Sequence, residues 1–434
     1  MAKTRALTTK YLIIGNSAGG IGAAEAIRDV DREGQITIVS DEPYPCYSRP
    51  LISKYLARER TLDTMLFRPA DFYSGNNITS ILGRKVNSLG LGDRTAELEN
   101  GEHIYWEKLL IASGGVPIVP EMKGAGKRGI FTFTTLDDAK AIDEFIENAP
   151  SAVVIGGGLI GISVTEALKK RGVKVTVVEM KDRILNTILD EKASSMAEEA
   201  LKKAGVRITT GRTVAEIVGE DMVRGVVLDN GEEMPCNLVV VAIGVLPRVE
   251  LALDTEIKVN RGISVDKHMA TNCADIYCCG DASEAYDFVY GANRLTPIWP
   301  NAYIGGRVAG YNMAGVKAEY PGGTAMNSLN YFGLDIASAG IASPLENGLY
   351  ECISKQTDGV YKRVILKNDR LVGMVCVGDI EKAGILFSLM RDKVKVSSFK
   401  KMLLSDNFGL VSLPKELWQK RLEEDTAIIG GLKR

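Results

Sequence analysis

The feature that most constrains this chain is a pattern it carries twice. Residues 10–14 (KYLII) form a short apolar run. It is followed by Gly15-Asn16-Ser17-Ala18-Gly19-Gly20, a helical stretch over 21–30, and a second apolar run over 35–39 that ends on Ser40-Asp41-Glu42. The second copy begins at 152–155 (AVVI). It continues through Gly156-Gly157-Gly158-Leu159-Ile160-Gly161, a helical stretch over 162–171, an apolar run over 173–178, and Glu179. The copies also close alike, on the apolar runs 109–114 and 238–244, each after strand-like segments broken by turns at Asn100-Gly101 and Asn230-Gly231. Strand, glycine turn, helix, strand and acid, in that order, is the βαβ dinucleotide-binding fingerprint in its structural context. One such turn is weak evidence; two complete copies predict two dinucleotide-binding domains.

Each glycine has a physical task. The first permits the tight turn, the second lets the backbone approach a pyrophosphate, and the third lets the helix pack on its strand, so that the helix N-terminus faces the phosphates. The second copy has all three, Gly156, Gly158 and Gly161. The first has Gly15, Ser17 and Gly20, and Ser17 reads either as a hydroxyl donor to phosphate or as a plain turn serine. Glu179 is placed to accept both hydroxyls of an adenosine ribose, which selects NAD(H); Lys181 and Arg183 nearby keep NADP(H) as the alternative. In the first copy Ser40 falls where the repeat calls for the acid, so Asp41 is taken as the ribose ligand, with Glu42 as runner-up.

Composition narrows the chemistry. At 434 residues the chain has room for about three domains. It holds 45 glycines but only two histidines, His103 and His268, which argues against a histidine triad or a multi-histidine metal centre. A formal charge of −2 removes any global case for nucleic-acid binding. The first residues lack the apolar stretch of a secretory signal, and the run over 238–246 is too short to span a bilayer, so a cytoplasmic location without membrane insertion is expected. Seven cysteines in a chain this long do not form a disulfide framework. Cys273 and Cys278 are read as residues of a hydrophobic strand rather than a redox dithiol, no CxxC pair exists, and no metal site is expected.

With these motifs in place, the chain resembles the FAD-dependent pyridine nucleotide–disulfide oxidoreductase superfamily over about residues 8–400. The nearest branch looks like the rubredoxin and putidaredoxin reductases and the NADH-oxidising part of assimilatory nitrite reductase. The resemblance implies an α/β fold with two Rossmann-like domains, for FAD and NAD, built on three-layer parallel sheets, plus an α+β C-terminal interface domain. It sets expected boundaries of 1–117 and 246–325 for the FAD domain, 118–245 for the NAD(H) domain, 326–405 for the interface domain and 406–434 for a tail. Ala112-Ser113-Gly114 and Ala242-Ile243-Gly244 look like the two domain-crossing motifs. Tyr277-Cys278-Cys279-Gly280-Asp281 is similar to the second FAD signature, whose Asp binds the ribityl chain, and residues 298–302 (IWPNA) resemble the helix start facing the flavin. A helix N-terminus there, carrying roughly half a positive charge, favours the anionic reduced flavin.

The same resemblance places Ala18, Gly19, Val86, Arg49, Lys54 and Trp299 on FAD, with Lys54 near the flavin N5 edge, and Leu159, Ile160 and Ile243 on NAD. Arg49 and Lys54 also read as ordinary surface cations. Two departures matter. The family often carries a Glu two residues after the third glycine of the NAD motif, pairing with the lysine; here that residue is Ser163, and the nearest acid is Glu166, one helical turn on. Branches that use a redox cysteine carry it where Tyr47 stands here, with Cys46 one residue away.

The expected activity is electron transfer between NAD(H) and a protein carrier or iron–sulfur partner, such as a ferredoxin, a rubredoxin or a larger oxidoreductase complex. The chain is expected as a homodimer or as a subunit of a hetero-oligomer. The alternatives are a thiol-using NADH oxidase or CoA-disulfide reductase, and a non-catalytic flavoprotein of the apoptosis-inducing-factor type. From Arg391 onward ten Lys and Arg stand against six Asp and Glu, and residues 414–422 read as a short helix, either a docking element for an acidic partner or one packed on its own domain.

Overall fold

The computed structural model describes residues 7–344, 348–409 and 412–414. The tail helix expected over 414–422 therefore lies, but for Pro414, outside the described residues. The chain divides into two compact units, Met1–Asp182 with Gly205–Ala325, and Arg183–Ala204 with Met326–Arg434.

The first unit opens with β1 (Leu7–Ile14), α1 (Ala18–Val30) and β2 (Ile36–Ser40). The last residues of β1 are apolar and buried because the strand is central, with β2 on one side and β6 on the other. The short helices α2 (Ile52–Leu56) and α3 (Phe72–Gly75) precede β3 (Ile78–Leu82), β4 (Val86–Gly90), β5 (Thr95–Leu98) and β6 (His103–Ile111). These strands order as β3-β2-β1-β6-β5-β4, with β1, β2, β3 and β6 parallel and the β4–β5 hairpin antiparallel.

β7 (Gly115–Pro117) carries the chain out to a second parallel sheet. That sheet is built from β8 (Ile130–Phe131), β9 (Ser151–Ile155), β10 (Lys174–Glu179), β11 (Arg207–Thr210) and β15 (Leu238–Val241), in the order β11-β10-β9-β15-β8. Helix α4 (Leu136–Phe145) lies between β8 and β9, and α5 (Leu159–Lys170) between β9 and β10. An antiparallel trio, β12 (Val214–Val218), β13 (Gly225–Leu228) and β14 (Glu233–Pro235), packs above this sheet. β16 (Val245–Pro247) brings the chain back by pairing antiparallel with β7.

The return segment passes through the short helix α7 (Glu250–Leu253) and β17 (Ile263–Ser264). It then adds β18 (Ile276–Cys278) to the first sheet, parallel to β6. Cys273 precedes this strand rather than lying within it: the chain must first turn through Asp275, whose φ is +64°. β19 (Ser283–Asp287) and β20 (Ala292–Leu295) form a hairpin, and α8 (Trp299–Met313) then packs against α1. The two helices meet through glycine. A Cβ on Gly306 would lie 2.0 Å from the Gly19 carbonyl oxygen, and one on Gly310 would lie 2.4 Å from that of Ala23. Part of the glycine surplus thus serves helix packing.

The second unit contains α6 (Glu191–Lys203), which packs on β25 although its sequence position falls within 118–245. Its sheet is antiparallel, in the order β21 (Met326–Tyr331), β22 (Leu334–Gly340), β25 (Arg370–Val377), β24 (Val360–Lys367) and β23 (Glu351–Thr357), with α9 (Ala383–Arg391) against β25. Asn368 and Asp369, both at positive φ (+52° and +58°), make the two-residue turn that joins β24 to β25. Asp190 caps α6 through the Ala193 N–H and accepts Tyr361 Oη–H and the Arg363 guanidinium, each at 2.5 Å. No helix among the described residues is long and apolar enough to cross a membrane.

Candidate functional site

The two glycine turns are superimposable in their hydrogen bonding. Gly15 N–H donates to Val39 O and Gly156 N–H to Val178 O, both at 2.8 Å. Ala112 N–H donates to Ile14 O and Ala242 N–H to Ile155 O, again both at 2.8 Å. A Cβ on Gly15 would stand 2.1 Å from Ala112 O, and one on Gly156 would stand 2.4 Å from Ala242 O. A Cβ on Gly20 or on Gly161 would meet the carbonyl oxygen of the turn's first glycine at 1.9 Å. Both first glycines have positive φ, +120° and +108°. No side chain larger than hydrogen fits these four positions without moving backbone, so each turn is held tight against its helix and its closing strand.

The helices that start at these turns are uncapped. Ser17 and Gly158 are the N-caps of α1 and α5, and neither makes a side-chain cap hydrogen bond. α8 also begins without one, at Ile298, with Trp299 and Pro300 as its first residues. By contrast α4 has a full Thr135/Asp138 capping box and α6 is capped by Asp190. Helix N-termini need acceptors for their free N–H groups, and at the glycine turns and the start of α8, as at α2, α3, α7 and α9, the N-cap side chain supplies none.

In the second copy the acid lies where the fingerprint needs it. Glu179, 8% exposed at the end of β10, accepts the Gly157 N–H at 2.6 Å and the Lys181 N–H at 2.8 Å. In the first copy the register confirms Ser40 as the equivalent of Glu179: Arg84 N–H bonds Ser40 O as Arg212 N–H bonds Glu179 O. Asp41 and Glu42 are engaged elsewhere. Asp41 pairs with Arg248 at 2.6 Å, while Glu42 is held by the Arg49 guanidinium and by Tyr47 Oη–H. Val86 opens β4 and is buried.

Asp281 sits in a single 3-10 turn, Gly280–Ala282, just after β18. Burial pushes its carboxyl above the usual carboxylate range, and the Arg49 guanidinium draws it back. Arg49 also donates to Thr134 O at 2.8 Å. Trp299 stands edge-on to Phe67, ring centres 5.3 Å apart. Around the crossing strands, Ser113 Oγ–H donates to Arg248 O at 2.8 Å, Gly114 takes φ +75°, Ile243 is 41% exposed, and Gly244 takes φ +127°.

Lys54, on α2, lies 3.2 Å from Glu59 and 3.9 Å from Glu166 of α5. Lys170 completes the group, 2.7 Å from Glu59 and 3.4 Å from Glu166. Charges alternate around the set, so the ammonium of Lys54 is shared between two carboxylates that come from different elements.

A protein-family comparison decides the assignment of this architecture. Residues 9–303 match the pyridine nucleotide-disulphide oxidoreductase model, and residues 326–394 match the rubredoxin NAD+ reductase C-terminal domain. The chain belongs to the pyridine nucleotide-disulphide oxidoreductase family. It is similar to a nitrite reductase [NAD(P)H] of Bacillus subtilis (strain 168), 29% identical over 91% of this chain and 48% of the relative, so it spans about half the length of that protein. It is similar at nearly full length to the epsilon subunit of the NADH-dependent phenylglyoxylate dehydrogenase of Aromatoleum evansii, 30% identical over 92% of this chain and 95% of the relative. Among solved structures, an NAD-dependent persulfide reductase from A. fulgidus superimposes with a TM-score of 0.83 at 28% identity, over 89% of this chain and 77% of that one.

As a member of this family the chain is an oxidoreductase with FAD and NAD(H) as cofactors. The residues present fit both groups. The cradles at Gly15/Gly20 and Gly156/Gly161 exclude any Cβ, the adjoining helices lack caps, and among the described residues the half-buried Asp281 carboxylate has no hydrogen-bond partner.

Cys46 is 2% exposed; burial pushes its thiol up, which works against a thiolate nucleophile. Its N–H donates to Tyr73 Oη, which in turn donates to Asn16 of the first glycine turn. Burial likewise raises Cys279, to about 12; its sulfur packs where a Cβ on Gly19 would lie 2.7 Å away. Sequence reasoning missed Glu59, Lys170 and Arg248. The first two carry no motif signal, and Arg248 could have been noticed only as a cation four residues past Gly244.

Proposed function

We propose that the chain is an FAD-dependent NADH oxidoreductase that passes electrons between NAD(H) and a protein electron carrier or iron–sulfur partner subunit. The observation that carries the reading is the pair of equivalent, side-chain-free turns, one of them ending on the buried Glu179. Relatives named as a reductase and as a subunit of a dehydrogenase, together with the rubredoxin-reductase C-terminal domain, support a macromolecular acceptor or donor. Seven free cysteines suit a cytoplasmic enzyme.

When bound, FAD supplies a ring that accepts hydride and exchanges single electrons; the protein's task is positioning and electrostatics. Gly15, Ser17, Ala18, Gly19 and Gly20 present backbone to the FAD phosphates, with Asp41 or Glu42 at the ribose, and Ala112, Ser113 and Gly114 border the same crevice. Asp281, next to Gly280, accepts from the ribityl hydroxyls, and the uncapped start of α8 at Trp299 supplies positive potential. Gly156, Gly158, Leu159, Ile160 and Gly161 cradle the NAD phosphates, Glu179 accepts the adenosine ribose hydroxyls, and Ile243 and Gly244 border that site. A 2′-phosphate there would face a carboxylate, so NADH is preferred over NADPH. Lys54 Nζ is positioned between Glu59 and Glu166, and Glu166 stands in for the acid that Ser163 lacks.

Anaerobic stopped-flow mixing with NADH should bleach the flavin absorbance, much faster than NADPH does. Faster bleaching with NADPH would overturn the reading of Glu179. Co-purification of the native protein under anaerobic conditions should bring down a redox protein, and recovery of the chain alone would count against a stable partner subunit.

A further inference from the structure

Arg248 lies where no cofactor motif places a cation. It follows β16, and its backbone is fixed at the end of β6: its N–H donates to Gly114 O at 2.9 Å, and its carbonyl accepts Ser113 Oγ–H at 2.8 Å. Its side chain ends at Asp41, directly after β2, at 2.6 Å. In the sheet order β2-β1-β6, these two anchors flank β1. Neighbouring strands lie just under 5 Å apart, so β2 and β6 end about 10 Å from each other. The ion pair therefore bridges the carboxyl end of β1, where the chain turns at Gly15, Asn16 and Ser17 into α1. In a parallel α/β sheet that crevice is where a nucleotide ligand lies.

We propose that the Arg248–Asp41 pair is a latch across the FAD crevice, closed by the strand that returns from the NAD-binding domain, and that it slows the escape of bound FAD. The inference rests on the reading of the first glycine turn as the FAD site. Both partners are part-exposed, 31% for the Arg248 side chain and 42% for that of Asp41, so the pair is weak as a stability element and open to screening. Its effect is on release, because opening it is a condition for the dinucleotide to leave.

The test is the rate at which free-FAD fluorescence rises after the purified holoprotein is diluted, with charcoal present to prevent rebinding. Arg248→Ala should release FAD about fivefold faster, the factor that corresponds to about 1 kcal/mol. Arg248→Gln should behave alike while its thermal unfolding stays that of the wild type, which separates the latch from a folding defect. Raising the salt concentration should speed release from the wild type and leave Arg248→Ala unaffected. In an Asp41→Ala background, Arg248→Ala should add nothing, because a latch needs both ends. An unchanged release rate in Arg248→Ala overturns the proposal. A full effect of Arg248→Ala that persists without Asp41 overturns it too, since Arg248 would then contact the cofactor directly. Purified native protein that carries no FAD would defeat the underlying site reading, a distinct result from FAD present but released at an unaltered rate.

Discussion

Glu179→Gln is the sharpest perturbation of the nicotinamide dinucleotide site. The carboxylate takes two backbone N–H groups, from Gly157 at 2.6 Å and Lys181 at 2.8 Å. A glutamine has one acceptor oxygen, and its amide nitrogen turns donors toward the other N–H. One backbone donor of the glycine turn then loses its partner in a buried setting, which costs about 1–3 kcal/mol. The ribose also loses a charge-assisted bond for a neutral one, a further loss of about 1 kcal/mol. With about 2 kcal/mol of this falling on NADH, its affinity drops roughly thirtyfold. NADPH is affected in the opposite sense. A carboxylate and a phosphate charge about 4 Å apart repel by about 4 kcal/mol at an effective dielectric constant near 20, and the substitution removes that term. The NADH/NADPH preference should therefore fall by at least about a hundredfold. Stopped-flow flavin reduction over a range of each nucleotide measures this, and the saturating rate with NADH should change little because Glu179 stands at the adenosine end. A preference that does not move, or a loss seen only in the saturating rate, would refute the assignment.

Three further outcomes are expected. Glu166→Gln leaves Lys54 with Glu59 alone and should slow flavin reduction about fivefold at unchanged FAD content. Adding Ser163→Glu should restore the rate, and a Glu166→Gln enzyme as fast as wild type would remove Glu166 from the site. Cys46→Ser should leave NADH:acceptor turnover within about twofold, a rate change of under half a kcal/mol, because the buried thiol is pushed away from the thiolate; a collapse of turnover would revive the thiol reading. Asp31, bonded to the Lys10 ammonium, then to Gly34 N–H and Tyr11 Oη, is held well below the usual carboxylate range. Its folded value lies below its unfolded one, so the stabilisation is fully present above the unfolded value and is lost as pH falls through the folded one. Asp31→Asn should cost about 1–2 kcal/mol at pH 7, and thermal melts should show the gap to wild type closing at strongly acid pH.

The fold was largely legible because its signals are local. The alternation of apolar run, glycine turn and helix is written within some thirty residues, and each copy folds into the βαβ unit its own pattern specifies. Boundaries shifted only slightly: α1 and α5 begin at Ala18 and Leu159, inside the glycine turns, because a turn that packs this tightly already has helical backbone at its last residues. What could not be read was set by distant chain segments. Ser163 suggested a missing acid, yet Glu166 reaches Lys54 from the next turn of α5, and Glu59 reaches it from beyond the end of α2. Asp41 stands directly after β2, where a ribose ligand is expected, but its partner is 207 residues away. The glycines of α8 carried no motif because their contacts are with α1, and only the packing of the two helices shows why Gly306 and Gly310 admit no side chain.

An uncapped helix start typically forgoes about 1 kcal/mol that a Ser, Thr, Asp or Asn can supply. This chain uses such caps on α4, through Thr135, and on α6, through Asp190. Side-chain caps are absent from α2, α3, α7 and α9 as well as from α1, α5 and α8, whose N-cap positions hold Ser17, Gly158 and Ile298. What sets α1 and α5 apart from the other uncapped helices is that they start directly at the two glycine turns. On the proposed reading, backbone N–H groups at these turns serve the anionic cofactors, and placing the donors on backbone leaves no side chain to deprotonate or move during turnover. A chain with two histidines can run redox chemistry on this plan, because the groups that stabilise charge are peptide N–H groups held rigid by glycine contacts too close to admit a Cβ.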